Sequence, residues 1–500
     1  MTPTFIGAIL IAVAIFLMFR GSATNMLALV LVATLFGGAS AVDLPALGGS
    51  SIPPANMALL FMAFYLLASR AVTVNNLAQV TRPNLFLAIF CIYGAIGAFL
   101  LPRIFAGMIG VVPMNVADAA FLNIYHLVPL GPSSQNITTA VYLLGTLFAG
   151  LATALIVNIE RSETRVVQVF IALCWAHVFF GVLNLALSTV GHSDWLMFLR
   201  NGHYAQVDQE LAGGIQRVNG IFPEPSMYAA YGFGILVVMV ELWLRDVRAR
   251  ATGAAALGMV AVLMLTTSST AYVSCGIYAL VLGFRFLLTP ARVSLRKLAV
   301  LGCVLFLVLT AGLAVAVFHP QLGDKLVQVV ESMTVHKSQS FSGRQRLFWA
   351  QLGILAFKTS YGLGFGPGSF RSSSLFTAIA GSLGVIGIVT FFGQVFALLR
   401  PFDKRAHDLS RHDGQEINIA AGWAAVLSLI PAAISAPGPD PGVMFGLLGG
   451  LALARRIPAM LPQRRHRLYV HETGVKPAMT QLSQKDVGGK SVPVLYGSRY

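Results

Sequence analysis

Arg217 and Glu224 stand seven residues apart in the segment Arg217-Val218-Asn219-Gly220-Ile221-Phe222-Pro223-Glu224-Pro225-Ser226, where a polar stretch from Asn201 meets a long apolar run. Pro223 and Pro225 fix the backbone on both sides of Glu224 and give its side chain a defined direction. A carboxylate held in this way suits a general base that takes a proton from a hydroxyl. The alternative is an N-terminal helix residue favoured by the macrodipole, with Ser226 as the cap. A second polar mouth, Phe341-Ser342-Gly343-Arg344, lies further along, and Arg371 follows it. Arg217, Arg344 and Arg371 each offer a permanently charged fork that matches phosphate oxygens; a lysine keeps the charge and loses the fork. Their alternative is a solvated loop charge or an ion pair with Asp208, Glu210 or Glu331. Lys325, Lys337, Arg346 and Lys358 rank lower, as solvated loop cations.

Other candidates are less specific. Gly362-Leu363-Gly364-Phe365-Gly366-Pro367-Gly368-Ser369-Phe370-Arg371 excludes a regular helix and could bring the N–H groups around Gly364 and Gly366 close to a phosphate. It lacks the preceding strand of a dinucleotide fold. Trp349, Phe348 and Tyr361 could stack on sugar rings or serve as interfacial anchors. His177 falls in an apolar run and reads as a hydrogen-bonded packing residue, whereas His126, His192, His203, His319 and His336 have no ligand spacing. No HExxH, paired His/Cys, GxSxG or Walker A pattern occurs, so neither a metal nor a cofactor is expected. Asn136-Ile137-Thr138 matches a glycosylation sequon beside an apolar run.

The elements that must position these residues are apolar. The chain has 500 residues, 56% hydrophobic and 11% charged, with mean hydropathy +0.75. About 13 runs approach the length of a bilayer crossing; their cores are 3–19, 25–42, 54–69, 85–101, 138–158, 166–190, 226–244, 253–267, 269–288, 298–318, 374–399, 417–435 and 438–454. This predicts an all-α polytopic membrane protein with about 12–13 transmembrane helices. Thr266-Thr267-Ser268-Ser269-Thr270 divides 253–288 into a hairpin with an outward turn; one tilted, broken span is the alternative. The net charge of +15 is unevenly spread. With an outer N-terminus, the alternate loops 20–24, 70–84, 159–165, 245–252, 285–297, 400–416 and 455–500 hold 25 of the 34 Lys and Arg. That bias places them in the cytoplasm, C-terminus included, and disfavours nucleic acid as the partner of the basic excess. The expected organisation is one membrane domain, 1–455, with outer loops at 102–137, 191–225 and 319–373, and a disordered basic tail, 456–500. The first apolar run has no basic n-region or cleavage site and reads as a retained span. Cys91, Cys174, Cys275 and Cys303 each fall in a span and read as packing residues. Cations and a carboxylate at the mouths of such spans suit a lipid-linked, anionic, carbohydrate-like substrate.

The order of these features resembles the bacterial O-antigen polymerase/ligase superfamily, and most closely its Wzy-type exopolysaccharide polymerases. The resemblance rests on Arg217 to Ser226, on Ser342-Gly343-Arg344 with Trp349, on Gly362 to Phe370, and on the earlier loop Leu130-Gly131-Pro132-Ser133-Ser134-Gln135-Asn136-Ile137-Thr138. It covers roughly residues 120–400. It implies a helical glycosyltransferase of the GT-C type at the periplasmic face of the inner membrane, using undecaprenyl-pyrophosphate-linked oligosaccharide without nucleotide sugar or metal. A polymerase joins repeat units; a ligase transfers the chain to lipid A-core. The pyrophosphate-holding role maps to Arg217 and Arg344; from the residues themselves, Glu224 is the candidate base and Arg371, Ser226, Trp349, Gly364 and Gly366 the candidate substrate-binding residues. A chain-length regulator and a flippase are the implied partners. Ligases carry a histidine shortly after the glycine-rich loop, whereas this chain reads Arg371-Ser372-Ser373-Ser374-Leu375-Phe376-Thr377-Ala378. A ligase, or a transporter of lipid-linked saccharide, is therefore the alternative to a polymerase.

Overall fold

The computed structural model describes residues 2–44, 50–69, 71–114, 127–202, 211–212, 215–288, 294–318, 341–400, 412–458 and 460. All lie in the unit Met1–Pro462; the rest of the tail expected at 456–500 lies outside the described residues. The protein is 75% helix with few strands, compatible with an all-α polytopic membrane protein. Its helices are α1 (Phe5–Arg20), α2 (Ala23–Ala33), α3 (Pro54–Ala68), α4 (Val74–Thr81), α5 (Leu85–Ile104), α6 (Ser134–Glu160), α7 (Glu163–Thr189), α8 (Pro225–Leu244), α9 (Ala249–Leu265), α10 (Ser269–Leu288), α11 (Leu295–Phe318), α12 (Phe341–Thr359), α13 (Leu375–Leu399), α14 (His412–Leu427), α15 (Ile430–Ser435) and α16 (Val443–Leu453). Each apolar run of the sequence overlaps a helix, and 417–435 overlaps two, α14 and α15. Among the described residues seven helices are long and apolar enough to cross a membrane: α5, α6, α7, α8, α10, α13 and Gly414–Ser435, which joins α14 to α15. The apolar helices α1, α2, α3 and α9 have 10–17 residues.

Local chemistry sets the helix starts. Thr4 accepts from the Gly7 N–H at 3.1 Å and Ser22 from the Asn25 N–H at 3.3 Å. At α6, Ser133 and Asn136 form a reciprocal capping box, which stops the loop at Gly131-Pro132 and begins the helix. Between α6 and α16 the contact is backbone to backbone. A Cβ at Gly446 would strike the Thr146 carbonyl and one at Gly450 the Gly150 carbonyl, so four-residue spacing of small residues on both helices allows the approach.

Loops gather at two ends of the bundle. At one end Thr4 Oγ1 donates to Ser40 O (2.6 Å), Gly202 N to Gly38 O (3.1 Å), Arg371 N to Val112 O (2.8 Å) and Ser372 N to Pro437 O (2.9 Å). Short antiparallel pairs finish it: β1 (Thr2–Pro3), β2 (Val42–Leu44) and β3 (Ser50–Ile52) in one sheet, β4 (Gly110–Val111) with β5 (Val128–Pro129) in another. At the other end the Glu160 carboxylate accepts from the N–H groups of Ala23 and Thr24, Arg455 pairs with Glu163 at 2.9 Å, and Arg456 donates to Ala397 O and Arg400 O. There too the fully buried Glu241 of α8 meets Arg245 and Arg285, each at 2.6 Å, and accepts from Tyr278 at 3.2 Å. Segments expected on one face of the membrane thus touch one another, and α8 runs from the first end to the second.

One detail differs from the expected loops, while the hairpin expected within 253–288 is present. The stretch 319–373 contains the 19-residue helix α12; residues 319–340 lie outside the described residues. The polar break at Thr266–Ser268 is a hairpin turn with Thr267 at φ +46°, and α9 and α10 both pack on α8. Tyr272 Oη donates to Met264 O at 2.9 Å across that turn.

Candidate functional site

The strand of chain from Arg217 to Glu224 is clamped before it enters α8. Asn184 Oδ1, near the end of α7, accepts from the N–H groups of Asn219 (3.1 Å) and Gly220 (3.3 Å). The Arg200 guanidinium donates twice to the Gly220 carbonyl, at 3.1 and 2.8 Å. Gly220 has φ +54°, and a Cβ there would run into the Tyr228 ring, so glycine is required at this turn. The Phe222 ring lies 5.7 Å from His177, 5.9 Å from Tyr228 and 5.3 Å from Tyr231. Pro225 occupies the first helical position, where no N–H is needed.

Glu224 is the N-cap residue of α8, yet its side chain makes no cap hydrogen bond. Ser226, expected as the cap, sits inside the first turn and donates its hydroxyl to Glu224 Oε1. The carboxylate is half-buried and oriented by that hydroxyl.

Two arginines sense this carboxylate. Burial lowers the pKa of the half-buried Arg217; Glu224 and Tyr272 oppose the shift, and Arg346 adds to it. Burial also lowers that of Arg371, with Glu224 opposing and Arg346 again adding. A guanidinium remains charged through such shifts. Arg217 and Arg371 therefore each lie within electrostatic range of both Glu224 and Arg346, and the four residues together carry three positive charges and one negative. Arg371 is anchored by its N–H to Val112 O, by Nη1 to Met114 O at 3.2 Å, and by the Trp349 ring 4.8 Å from its Cζ. Its Nε is buried without a partner among the described residues.

Arg346 belongs to this group, although sequence reasoning placed it among the solvated cations. Helix α12 explains why. Gln345, Trp349, Leu352 and Ala356 form its buried stripe, and Arg346 flanks that stripe half-buried. Arg344 is exposed at the start of α12, and among the described residues no hydrogen bond or ion pair joins its side chain to the group. Trp349 is buried beside Val112 and Leu352 with Arg371 against its ring, so it supports a cation rather than lying open to a sugar. Phe348 packs with it, and Tyr361 is 85% exposed.

The glycine-rich loop plays a different part from the one its composition suggests. Gly364 N donates to Ser360 Oγ (2.8 Å), Phe365 N to Gly381 O (2.8 Å) and Gly366 N to Ser382 O (2.9 Å), so the N–H groups at Gly364 and Gly366 are engaged and do not face a phosphate. Gly364 has φ +84°, and a Cβ would enter the Ser382 carbonyl of α13. The loop is a strut between helices. The earlier motif locks onto it: Asn136 Nδ2 donates to Pro367 O (2.8 Å) and Ser369 Oγ (3.0 Å). Asn136 is 2% exposed, which closes the sequon to a glycan.

His177 is buried and stacked on Tyr228 at 3.9 Å, and neither ring nitrogen has a partner among the described residues; it packs, but without the expected hydrogen bond. Among the described residues no group of three His, Cys, Asp or Glu side chains could hold a metal ion. His126, His203, His319, His336, Lys325, Lys337 and the proposed ion-pair partners Asp208, Glu210 and Glu331 lie outside the described residues. Sequence reasoning also missed Asn184 and Arg200, whose contact with the Gly220 turn has no local pattern. No protein-family model matches the chain, and no curated protein matches it.

Proposed function

We propose that the protein is a membrane glycosyltransferase that polymerises undecaprenyl-pyrophosphate-linked oligosaccharide repeat units at the periplasmic face of the inner membrane. It is read as a GT-C-like enzyme of about 12–13 spans with a cytoplasmic C-terminus. The observation that carries this reading is the group of Arg217, Arg346 and Arg371 in electrostatic range of one another, with the oriented carboxylate of Glu224 acting on Arg217 and Arg371. Excess positive charge in a half-buried site favours a multiply charged anion, and a single carboxylate beside it favours an acceptor hydroxyl.

In the proposed reaction Glu224 takes the proton of an acceptor sugar hydroxyl. The new C–O bond forms at the donor's anomeric carbon as its bond to the pyrophosphate oxygen breaks, and both electrons of that bond leave with the lipid pyrophosphate. The guanidinium groups neutralise the departing charge, which is strengthened by exclusion of water. Arg344, exposed at the start of α12, meets the substrate from outside the group. A chain-length regulator and a flippase are the proposed partners. The test is the lipid-linked saccharide of a deletion strain. Single repeat units on undecaprenyl pyrophosphate outside the membrane support a polymerase; trapped units inside support the transporter reading; unattached polymer of normal length supports a ligase.

A further inference from the structure

The turn between α9 and α10 carries an unusual set of hydroxyls. Thr267, Ser268, Thr270 and Ser274 are each at most 5% exposed, and the hydroxyl of each is buried with no hydrogen-bond partner. Serine and threonine within helices usually bond back to the carbonyl four residues earlier. In this chain Thr139 does so to Gln135 O, Thr359 to Leu355 O and Thr390 to Ile386 O. Thr270 and Ser274 do not. Thr270 and Ser274, four residues apart in α10, share one face of the helix, and Thr267 and Ser268 precede it in the turn.

These hydroxyls lie about the N-terminus of a 20-residue helix. The first N–H groups of α10 have no intrahelical acceptor, and none is supplied by a neighbouring group among the described residues. The helix dipole adds positive potential there. Tyr272, in the same first turn, lies within electrostatic range of Arg217 and ties the turn together through Met264 O. Unpartnered hydroxyls and a helix N-terminus thus share one turn, and Tyr272 of that turn lies in electrostatic range of Arg217.

We propose that the N-terminus of α10, with the hydroxyls of Thr267, Ser268 and Thr270, is an oxyanion subsite that takes a phosphate group beside Arg217. Resting on the function proposed above, it holds one phosphate of the lipid pyrophosphate while the arginines hold the other. Neutral donors supply directional bonds that fix the anion's position, and the guanidinium groups supply charge.

The test uses the full chain purified in detergent and radiolabelled inorganic pyrophosphate in equilibrium dialysis, with farnesyl pyrophosphate as competitor. The double variant Ser268→Ala/Thr270→Ala loses two donors to an anion and is expected to bind at least about tenfold more weakly. Ser268→Thr, which keeps a hydroxyl, binds as the wild type does, and this rescue separates a donor role from a packing role. Farnesyl pyrophosphate displacing the label more tightly than unlabelled pyrophosphate assigns the anion to a prenyl lipid head group; equal displacement assigns it to free phosphate species and overturns the lipid source. Wild-type affinity in a monodisperse double variant overturns the subsite. If Arg217→Ala weakens binding in that same experiment, the reading of the arginine group stands without it. Absence of pyrophosphate binding by the wild type overturns the subsite, and polymer output of the deletion strain then decides the function independently.

Discussion

Glu224 is oriented before any substrate arrives, because two prolines set its backbone and Ser226 holds one carboxylate oxygen. The hydrogen bonds that clamp Gly220 fix where the residue stands. Preorganisation of this kind is where a base gains its effect. The arginines differ in burial, and the expected outcomes differ accordingly. Arg371→Ala and Arg346→Ala each lower polymer formation by about 10²-fold or more, the range for removing a donor from a developing oxyanion. Arg371→Lys recovers little, since the fork and its place on Trp349 are lost. Arg344→Ala, by contrast, costs less than Arg346→Ala when polymer per unit of membrane protein is compared. Arg217, Glu224 and Arg371 were legible as residues because their types and flanking prolines are local facts. Arg346 was not, because its significance depends on the face of a helix that the sequence reading left as loop.

The elements explain why the motifs recur in this order. The glycine-rich loop and the Leu130–Thr138 segment bond to each other through Asn136 and so tie α5, α6 and α13 together beneath the site. Gly364→Ala forces a left-handed conformation on a Cβ-bearing residue, at about 1–3 kcal/mol, and adds a collision with α13. The expected result is a lower unfolding temperature in detergent, with pyrophosphate affinity of the folded fraction unchanged. At the opposite end, Glu241→Ala removes the buried carboxylate that Arg245 and Arg285 share, while Arg245 keeps Glu416 at 3.6 Å, and is expected to cost roughly 3–5 kcal/mol. Thermal unfolding measures it, and a loss below about 1 kcal/mol would contradict the buried ion group. The apolar helices were readable from apolar length, whereas α4 and α12 fell in stretches read as loops. The α6–α16 contact and the Glu241 group were not, since each joins residues far apart in the chain whose types look ordinary locally.

At the scale of the whole molecule, the described loops meet in two groups, one holding Arg217 and the other Glu160, Glu163, Arg455 and Arg456. The proposed orientation predicts that Arg344→Cys, in a chain with its four native cysteines replaced, reacts with a membrane-impermeant maleimide added to spheroplasts. Arg161→Cys reacts only after permeabilisation. The reverse pattern would invert the protein and remove the periplasmic site. The central claim, that Glu224 serves a polymerising reaction, is tested most directly by the lipid-linked and secreted saccharide profile of a deletion strain carrying wild type or Glu224→Gln at equal membrane level. The account predicts polymer with the wild type, and single repeat units on undecaprenyl pyrophosphate without polymer for Glu224→Gln. Normal polymer from Glu224→Gln would contradict the role of the carboxylate, and normal polymer from the deletion strain itself would contradict the function.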